Sequence, residues 1–495
     1  MNIKINELMI SSGVQFGTSG VRGLVVDMTD QVCFSYVSAF LQYLAENELV
    51  KTGDKIGIAG DLRVSTPRIM NAVAAACRTY GFEAVNYGTI PSPAIALIGI
   101  QSSMATIMVT GSHIPDDRNG IKFNTPAGEI LKVDEEGIRA QNVTVASELF
   151  TDLGQLNRVD YLPPLNTDAN AVYIQRYIDF FPAQCLRGIN IGLYEHSSVA
   201  RDCFKEVLLL LGANVTSLAR TDRFISVDTE AIRPEDVELA KQWSVKYHFD
   251  CIVSTDGDGD RPLISDENGV WLRGDVAGIL CAQYFGADTV VTPVSCNSAV
   301  EKSQQFADII RTKIGSPFVI EAMQNAAVSN SELKVVGYEA NGGFLQQTNI
   351  DRDGKTLHPL PTRDAIIVPL TIMLLAKQHE VRISGLVSRL PNRYTYSDRI
   401  KNFPTDLSQQ IIASFTSGTQ EANLNAIDAQ LGKHGRPVSI DTTDGLRITF
   451  DSHEIIHLRP SGNAPEFRCY TEADSEQRAI ELNEYCMEIL KQYKS

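Results

Sequence analysis

Residues 106–123 read TIMVTGSHIPDDRNGIKF. The β-branched, apolar run Thr106, Ile107, Met108, Val109, Thr110 has the composition of a buried strand. It stops at Gly111 and releases Ser112 and His113 into a loop held by Pro115 and then by Asn119-Gly120. A strand that ends in a Gly-flanked serine places a hydroxyl at the carboxyl edge of a sheet, where ligands of α/β proteins bind. Lys122 follows ten residues after Ser112 and can return a cation to the same mouth. Taken alone, the loop reads equally well as an ordinary turn with a solvated Ser-His pair.

The neighbouring sequence repeats the pattern three times. A short strand ends in a polar turn (KIGIAGDLRVS, NIGLYEHSSVA, DTVVTPVSCNSAV) and a helix-like stretch follows. EAVNYG, NVTSLA and PFVIEAM read as second strands, and ATIMVTGSH, DCIVSTDGDGD and LKVVGYEANGG as third strands, each ending in an unusual loop. Three α/β units of this kind imply three similar domains facing a shared cleft. YLPPLNTD (161–168) is a Pro-rich linker, a new helix begins at 272–275 after the hairpin LISDENGVWL, and LPNR (390–393) closes the third unit. Beyond it, GLRITF, EIIHLRP and EFRCYTEA read as strands and the chain from Ser475 as an amphipathic helix, a small α+β domain. The expected domains are 1–162, 163–272, 273–390 and 391–495.

Length and composition agree. A chain of 495 residues exceeds one core. Hydrophobic content of 43% and charged content of 21% are those of a soluble globular protein. A net charge of −16 argues against nucleic acid or an anionic membrane as partner and requires local Arg and Lys clusters for any phosphorylated substrate. The apolar run IIVPLTIMLLA (366–376) is too short to span a bilayer and reads as a buried helix. The N-terminus MNIKINELMISSG shows no secretion signal, and nine scattered cysteines without a CxxC pair read as reduced core residues of a cytoplasmic protein.

The sharpest chemical signal is Asp256-Gly257-Asp258-Gly259-Asp260-Arg261. Three carboxylates at alternate positions, with glycines that let the loop curl, can converge on one hard cation. Two unneutralised carboxylates at about 4 Å repel by ~4 kcal/mol at an effective dielectric of 20, so convergence requires a cation. An EF-hand competes, since Glu267 falls at its twelfth position, but its sixth position demands Gly and holds Arg261. The loop therefore reads as a Mg²⁺ site with one position open to a phosphate oxygen. Three other loops are weaker on their own. GVQFGTSGVRG (13–23) is glycine-dense and aims Arg22 at an anion. Gly337-Tyr338-Glu339-Ala340-Asn341-Gly342-Gly343 offers a carboxylate and an amide to vicinal hydroxyls. Arg459-Pro460-Ser461-Gly462-Asn463-Ala464-Pro465, with Arg468, has the makings of an anion cradle. No GxSxG surrounds Ser112, and the P-loop-like Asp353-Gly354-Lys355-Thr356 has Asn349 at the upstream glycine position.

In this order, FGTSGVRG, TGSHIP, DGDGDR, YEANGG and RPSGNAP resemble the loops of the α-D-phosphohexomutase superfamily, enzymes that interconvert 1- and 6-phosphosugars. FGTSGVRG and TGSHIPDDRNGIKF look most like its phosphomannomutase type. The resemblance implies a four-domain architecture, three similar α/β domains plus a C-terminal α+β domain around a central cleft. It implies Ser112 as phosphorylated nucleophile, with Arg22, Lys122 and His113 completing the catalytic group. Asp256, Asp258 and Asp260 would hold Mg²⁺ with the Ser112 phosphoryl oxygen. Thr18, Ser19, Arg261, Glu339 and Asn341 would bind substrate, and Arg459, Ser461, Gly462, Asn463 and Arg468 the non-reacting phosphate. The implied reaction interconverts mannose 6- and 1-phosphate in a monomer or homodimer, with a hexose 1,6-bisphosphate as intermediate and activator. Glucose phosphate, or both sugars, is the alternative. A non-catalytic phosphosugar-binding protein and a calcium sensor are the readings of another class. Departures from the family pattern are Gly111 and Ile114, where many members carry Ala and Asn, Asn341, where they often carry Ser, and Ser316 and Gly343, where they commonly carry His, leaving Lys122, or His358, as acid/base candidates.

Overall fold

The computed structural model describes residues 1–159, 161–330, 332–461 and 465–493. Two compact units emerge, one of Met1–Asp288 with Ser316–Val387, the other of Thr289–Gly315 with the chain from Ser388 onward.

In the first unit, Lys55–Gly60 pairs in parallel with Glu83–Thr89 on one side and Thr106–Val109 on the other. Arg118–Thr125 then returns antiparallel to Thr106–Val109, so the serine loop is the connection of a hairpin at the strand's carboxyl end. Gly20–Leu24 adds to the far side of Arg118–Thr125, with Arg22 opposite Gly120 and Gly20 opposite Lys122. Arg22 and Lys122 thus share one face of the sheet as diagonal neighbours. The helices Asp30–Glu46 and Thr66–Thr79 bury Phe34, Val37, Phe40, Ile69 and Val73 in the core that also holds Ile56, Ile58 and Ile107.

The second repeat has the same plan. Asn190–Tyr194 lies parallel to Asn214–Leu218 and to Cys251–Thr255, and Pro262–Ile264 returns antiparallel. The metal loop is the turn between those last two strands. The third repeat supplies Val335–Tyr338 and its antiparallel return Phe344–Gln346, with residues 339–343, the candidate sugar loop, between them. These three loops therefore occupy the same structural position, a hairpin turn at the end of a buried strand.

The stretch PFVIEAM departs from expectation. It lies in the helix Ser316–Ser329, and the parallel partner of Thr289–Pro293 is Asp308–Thr312. Pro317 sits in the first helical turn, where its missing N–H costs nothing, and Val319, Ile320 and Met323 are buried at helical spacing.

The second unit contains a five-stranded antiparallel sheet in the order Tyr394–Lys401, Glu466–Ala473, Ile455–Pro460, Leu446–Phe450, Pro437–Asp441. The helix Glu476–Gln492 buries Leu482, Cys486, Met487 and Leu490 in its core. The run IIVPLTIMLLA forms the buried helix Ile367–Gln378 of the first unit, and no helix among the described residues is long and apolar enough to cross a membrane. All nine cysteines are free thiols.

Candidate active site

Ser112 sits at φ +54° and is 1% exposed. A left-handed backbone at a non-glycine residue costs about 1–3 kcal/mol and persists only where surroundings over-determine it. Here Arg63 does so. Its guanidinium spends all five donors, one on Asp61 Oδ2 at 3.1 Å and four on the carbonyls of Ser112 (2.9 Å), Ile114 (2.6 Å), Pro115 (2.8 Å) and Arg118 (3.0 Å). Asp61 in turn accepts from the Thr110 hydroxyl at 2.8 Å, and Thr110 Oγ1 accepts the Ser112 N–H at 2.7 Å. Burial pushes the Asp61 carboxyl up, and the adjoining guanidinium opposes that push. Nothing singled out Arg63 in the sequence. The available signal was its place in GDLRVS, at the end of a strand parallel to the serine strand.

Two glycines are required by close approach. A Cβ at Gly111 would lie 2.6 Å from Arg63 Cζ, and one at Gly257 would lie 2.8 Å from the Ser112 carbonyl oxygen. Gly111→Ala is expected to destabilise the protein by about 1–3 kcal/mol through overpacking and to lower turnover. Thermal unfolding and kcat measured on the same preparation check this.

The Ser112 hydroxyl donates to Asp256 Oδ2 at 2.7 Å and lies 3.3 Å from His113 Nδ1. Asp256 Oδ1 accepts the backbone N–H groups of Asp260 and Arg261, both at 3.1 Å, which curls the loop around the carboxylate. Ligand atoms of Asp256, Asp258 and Asp260 all lie within 4.8 Å of one another, and all three side chains are buried. Lys122 Nζ bridges Asp258 (2.6 Å) and Asp260 (2.5 Å), and Ser92 donates to Asp258 at 2.6 Å. Arg261 Nε is 3.7 Å from Asp260. Asp258 Oδ1 and Asp260 Oδ1 are buried without a hydrogen-bond partner. Converging hard oxygens with buried free lone pairs fit Mg²⁺.

Electrostatics separate these groups. Burial, together with Asp258 and Asp260, drives the Asp256 carboxyl well above the ordinary range. Burial also opposes ionisation of Asp258, but the Lys122 ammonium outweighs it and holds that carboxyl low. Burial and the facing Asp258 resist ionisation of Asp260, and Lys122, Arg363 and Arg261 overcome them. Arg22 falls to about 10 through burial and the nearby Arg261, although Asp258 and Asp260 favour its charge. Burial, then Arg261 and Arg22, lower His113 to about 2, so its imidazole stays neutral and resists protonation.

The sugar loop lies in the same unit. Glu339 and Asn341 are buried, and Asn341 Oδ1 accepts the Gly343 N–H at 2.9 Å. Thr229 donates to the Asn341 carbonyl at 2.6 Å. Arg363, another residue the sequence did not single out, donates Nε to Glu339 Oε2 at 2.6 Å and Nη1 to Asp260 Oδ2 at 3.1 Å. A Cβ at Gly343 would lie 2.5 Å from Arg363 Cδ, so the glycine makes room for this stem. Ser316 accepts from Arg363 Nη2 at 3.0 Å and donates to Glu129 at 2.8 Å.

Of the remaining candidates, Ser19 is buried and Thr18 half-buried in the turn closed by the Gly17 N–H and the Gly20 carbonyl at 2.8 Å. His358 is exposed, with its ring 3.2 Å from the Asn349 amide oxygen. Arg459, Ser461 and Arg468 belong to the second unit. There Arg459 and Arg468 are cross-strand partners, Arg459 Nε is 2.9 Å from Asp444 and Arg468 Nη2 is 3.4 Å from Glu466. The Ser461 N–H donates to the Glu466 carbonyl at 2.9 Å. Gly462 and Asn463 lie outside the described residues.

Comparison with known proteins places this geometry in a family. Residues 13–147 match the model for phosphoglucomutase/phosphomannomutase, alpha/beta/alpha domain I. Residues 273–394 match that for domain III, and 417–489 that for the C-terminal domain. A phosphomannomutase of Salmonella muenchen is 45% identical over 485 residues, covering 98% of this chain and 97% of the relative. One from Sinorhizobium fredii is 40% identical over 473 residues, covering 95% and 97%. The crystal structure of a phosphoglucomutase/phosphomannomutase family protein from Burkholderia thailandensis superposes with a TM-score of 0.72 at 18% identity, covering 96% and 97%. The chain belongs to the phosphoglucomutase/phosphomannomutase family of phosphohexomutases, and is an isomerase of that family.

Proposed function

We propose that this protein interconverts mannose 6-phosphate and mannose 1-phosphate through a phosphorylated Ser112 and a mannose 1,6-bisphosphate intermediate. One observation carries the reading. Ser112 Oγ lies 2.7 Å from a carboxylate of the buried Asp triad, in a pocket that also gathers Lys122, Arg22 and Arg261. Phosphoryl transfer requires positioning and charge neutralisation more than elaborate covalent chemistry, and this is the arrangement that supplies both.

In this reading the Ser112 phosphoryl passes to one sugar hydroxyl, the bisphosphate turns over, and its other phosphoryl returns to Ser112. Asp256, Asp258 and Asp260 hold Mg²⁺, which when bound neutralises charge on the phosphoryl oxygens. Arg22 and Lys122 stabilise charge and carry protons at the reacting hydroxyl. Neutral His113, 3.3 Å from Ser112 Oγ, orients the hydroxyl by a hydrogen bond. Arg261 neutralises the transferring group. Thr18, Ser19, Glu339 and Asn341 recognise the sugar, and Arg459, Ser461, Gly462, Asn463 and Arg468 take the phosphate-gripping role. The domain divisions 1–162, 163–272, 273–390 and 391–495, and a phosphosugar as substrate of a monomer or homodimer, belong to the same proposal.

The mannose preference is supported by the two phosphomannomutases at 45% and 40% identity. Its test compares kcat/KM for mannose 1-phosphate, glucose 1-phosphate and glucosamine 1-phosphate, with Mg²⁺ and a catalytic hexose 1,6-bisphosphate supplied. Mannose 1-phosphate is expected to be the best substrate. Glucose 1-phosphate turned over equally well would keep the mechanism and reject the epimer, and no turnover of any would favour a non-catalytic binding protein.

A further inference from the structure

Arg363 is 3% exposed, and its guanidinium meets three groups from separate stretches of chain. It donates to Glu339 Oε2 in the sugar loop (2.6 Å), to Asp260 Oδ2 in the metal loop (3.1 Å) and to Ser316 Oγ at the head of the helix Ser316–Ser329 (3.0 Å). Ser316 passes the contact on to Glu129 Oε2 at 2.8 Å, whose other oxygen accepts from Thr362, the residue preceding Arg363, at 2.5 Å. The guanidinium is thereby held from both sides. Its planar fork leaves little freedom once the donors are matched, so the carboxylates it pairs with are fixed relative to each other.

A buried ion pair of purely structural use can join any two elements. Here both acidic partners are groups with other work. Asp260 also takes the Lys122 ammonium at 2.5 Å and keeps a buried Oδ1 without a hydrogen bond, and Glu339 commits only Oε2 to the guanidinium. Gly343 admits the Arg363 stem where a Cβ would stand 2.5 Å from Cδ. We propose that Arg363 is a positioning residue that clamps the sugar-loop carboxylate Glu339 against the metal-loop carboxylate Asp260, so that the sugar ring is set at a fixed distance from the phosphoryl-transfer centre. This rests on the functional reading above.

The test uses the full-length protein with Arg363→Met and Arg363→Lys, each checked for a folded circular dichroism spectrum. It measures kcat and KM for mannose 1-phosphate, and the Kd of Mn²⁺ alone by electron paramagnetic resonance. Loss of alignment is expected to lower kcat on the order of 10²-fold in both variants, since misplacement by about 1 Å has that effect. Arg363→Met is expected to bind Mn²⁺ more tightly than wild type, because it removes a cation 3.1 Å from Asp260 Oδ2. Arg363→Lys keeps the charge and is expected to leave Mn²⁺ affinity unchanged while still losing turnover. Opposite movement of metal affinity and turnover in Arg363→Met distinguishes positioning from general support. Weaker Mn²⁺ binding alongside lost turnover would mean a merely structural clamp and overturn the proposal, as would wild-type kcat in both variants. A wild-type protein that binds Mn²⁺ but turns over no phosphosugar would overturn the functional reading first, and this one with it.

Discussion

Ser112→Ala is expected to abolish turnover, with kcat falling on the order of 10⁶-fold, the scale seen when a covalent nucleophile is removed. The fold is expected to survive the change. Arg63 grips the Ser112 main-chain carbonyl and not its hydroxyl, and the Thr110 hydroxyl receives the residue's backbone N–H, so an alanine keeps both contacts. The hydroxyl's bond to Asp256 is lost, but Asp256 Oδ1 keeps the backbone N–H groups of Asp260 and Arg261, so the carboxylate is not stranded. Steady-state kinetics and calorimetric titration with mannose 1-phosphate check the two halves together: no turnover, binding retained. A variant with wild-type kcat would remove Ser112 from the chemistry.

Lys122→Met combines a large effect on stability with a large effect on rate. The ammonium lies 2.6 Å from Asp258 and 2.5 Å from Asp260, both buried. Breaking a buried ion pair by deleting one partner costs about 3–5 kcal/mol, because it strands the other charge. In metal-free buffer the variant is therefore expected to melt well below wild type. A divalent cation can replace the missing charge, and binding to the native state at 100 times Kd stabilises by about 2.7 kcal/mol. Added Mg²⁺ is thus expected to raise the melting temperature of Lys122→Met more than that of wild type. Turnover is expected to stay low even with Mg²⁺, since the charge stabiliser proposed for the reacting hydroxyl is gone. Equal Mg²⁺-induced shifts in both proteins would contradict the assignment of Lys122 to the carboxylate cluster.

The loops that carry the chemistry were legible because their signals are local. Gly111-Ser112 and Asp256 to Asp260 hold their meaning within a few residues, and each follows a strand whose β-branched run marks it as buried. The two arginines that organise them were not legible. Arg63 reaches the Ser112 carbonyl across 49 residues, and Arg363 reaches Asp260 across 103. Arginine is mostly exposed in proteins, so no local pattern marks one that folding will bury. Gly343 read only as a missing histidine. Its meaning needs the Arg363 stem that packs over it. PFVIEAM was misread for a different reason, because a short apolar run does not separate a buried helix from a buried strand by periodicity alone. Pro317 was the available clue, since proline is favoured in a first helical turn and disfavoured inside a sheet.

The most direct test of the account is to locate the phosphoryl group. The full-length protein is incubated with mannose 1,6-bisphosphate and Mg²⁺, desalted and mapped by peptide mass spectrometry, then chased with mannose 1-phosphate. The account predicts one phosphoryl group, on Ser112, that disappears in the chase as mannose 1,6-bisphosphate forms. Mannose 6-phosphate produced from mannose 1-phosphate while Ser112 stays unmodified throughout would contradict it.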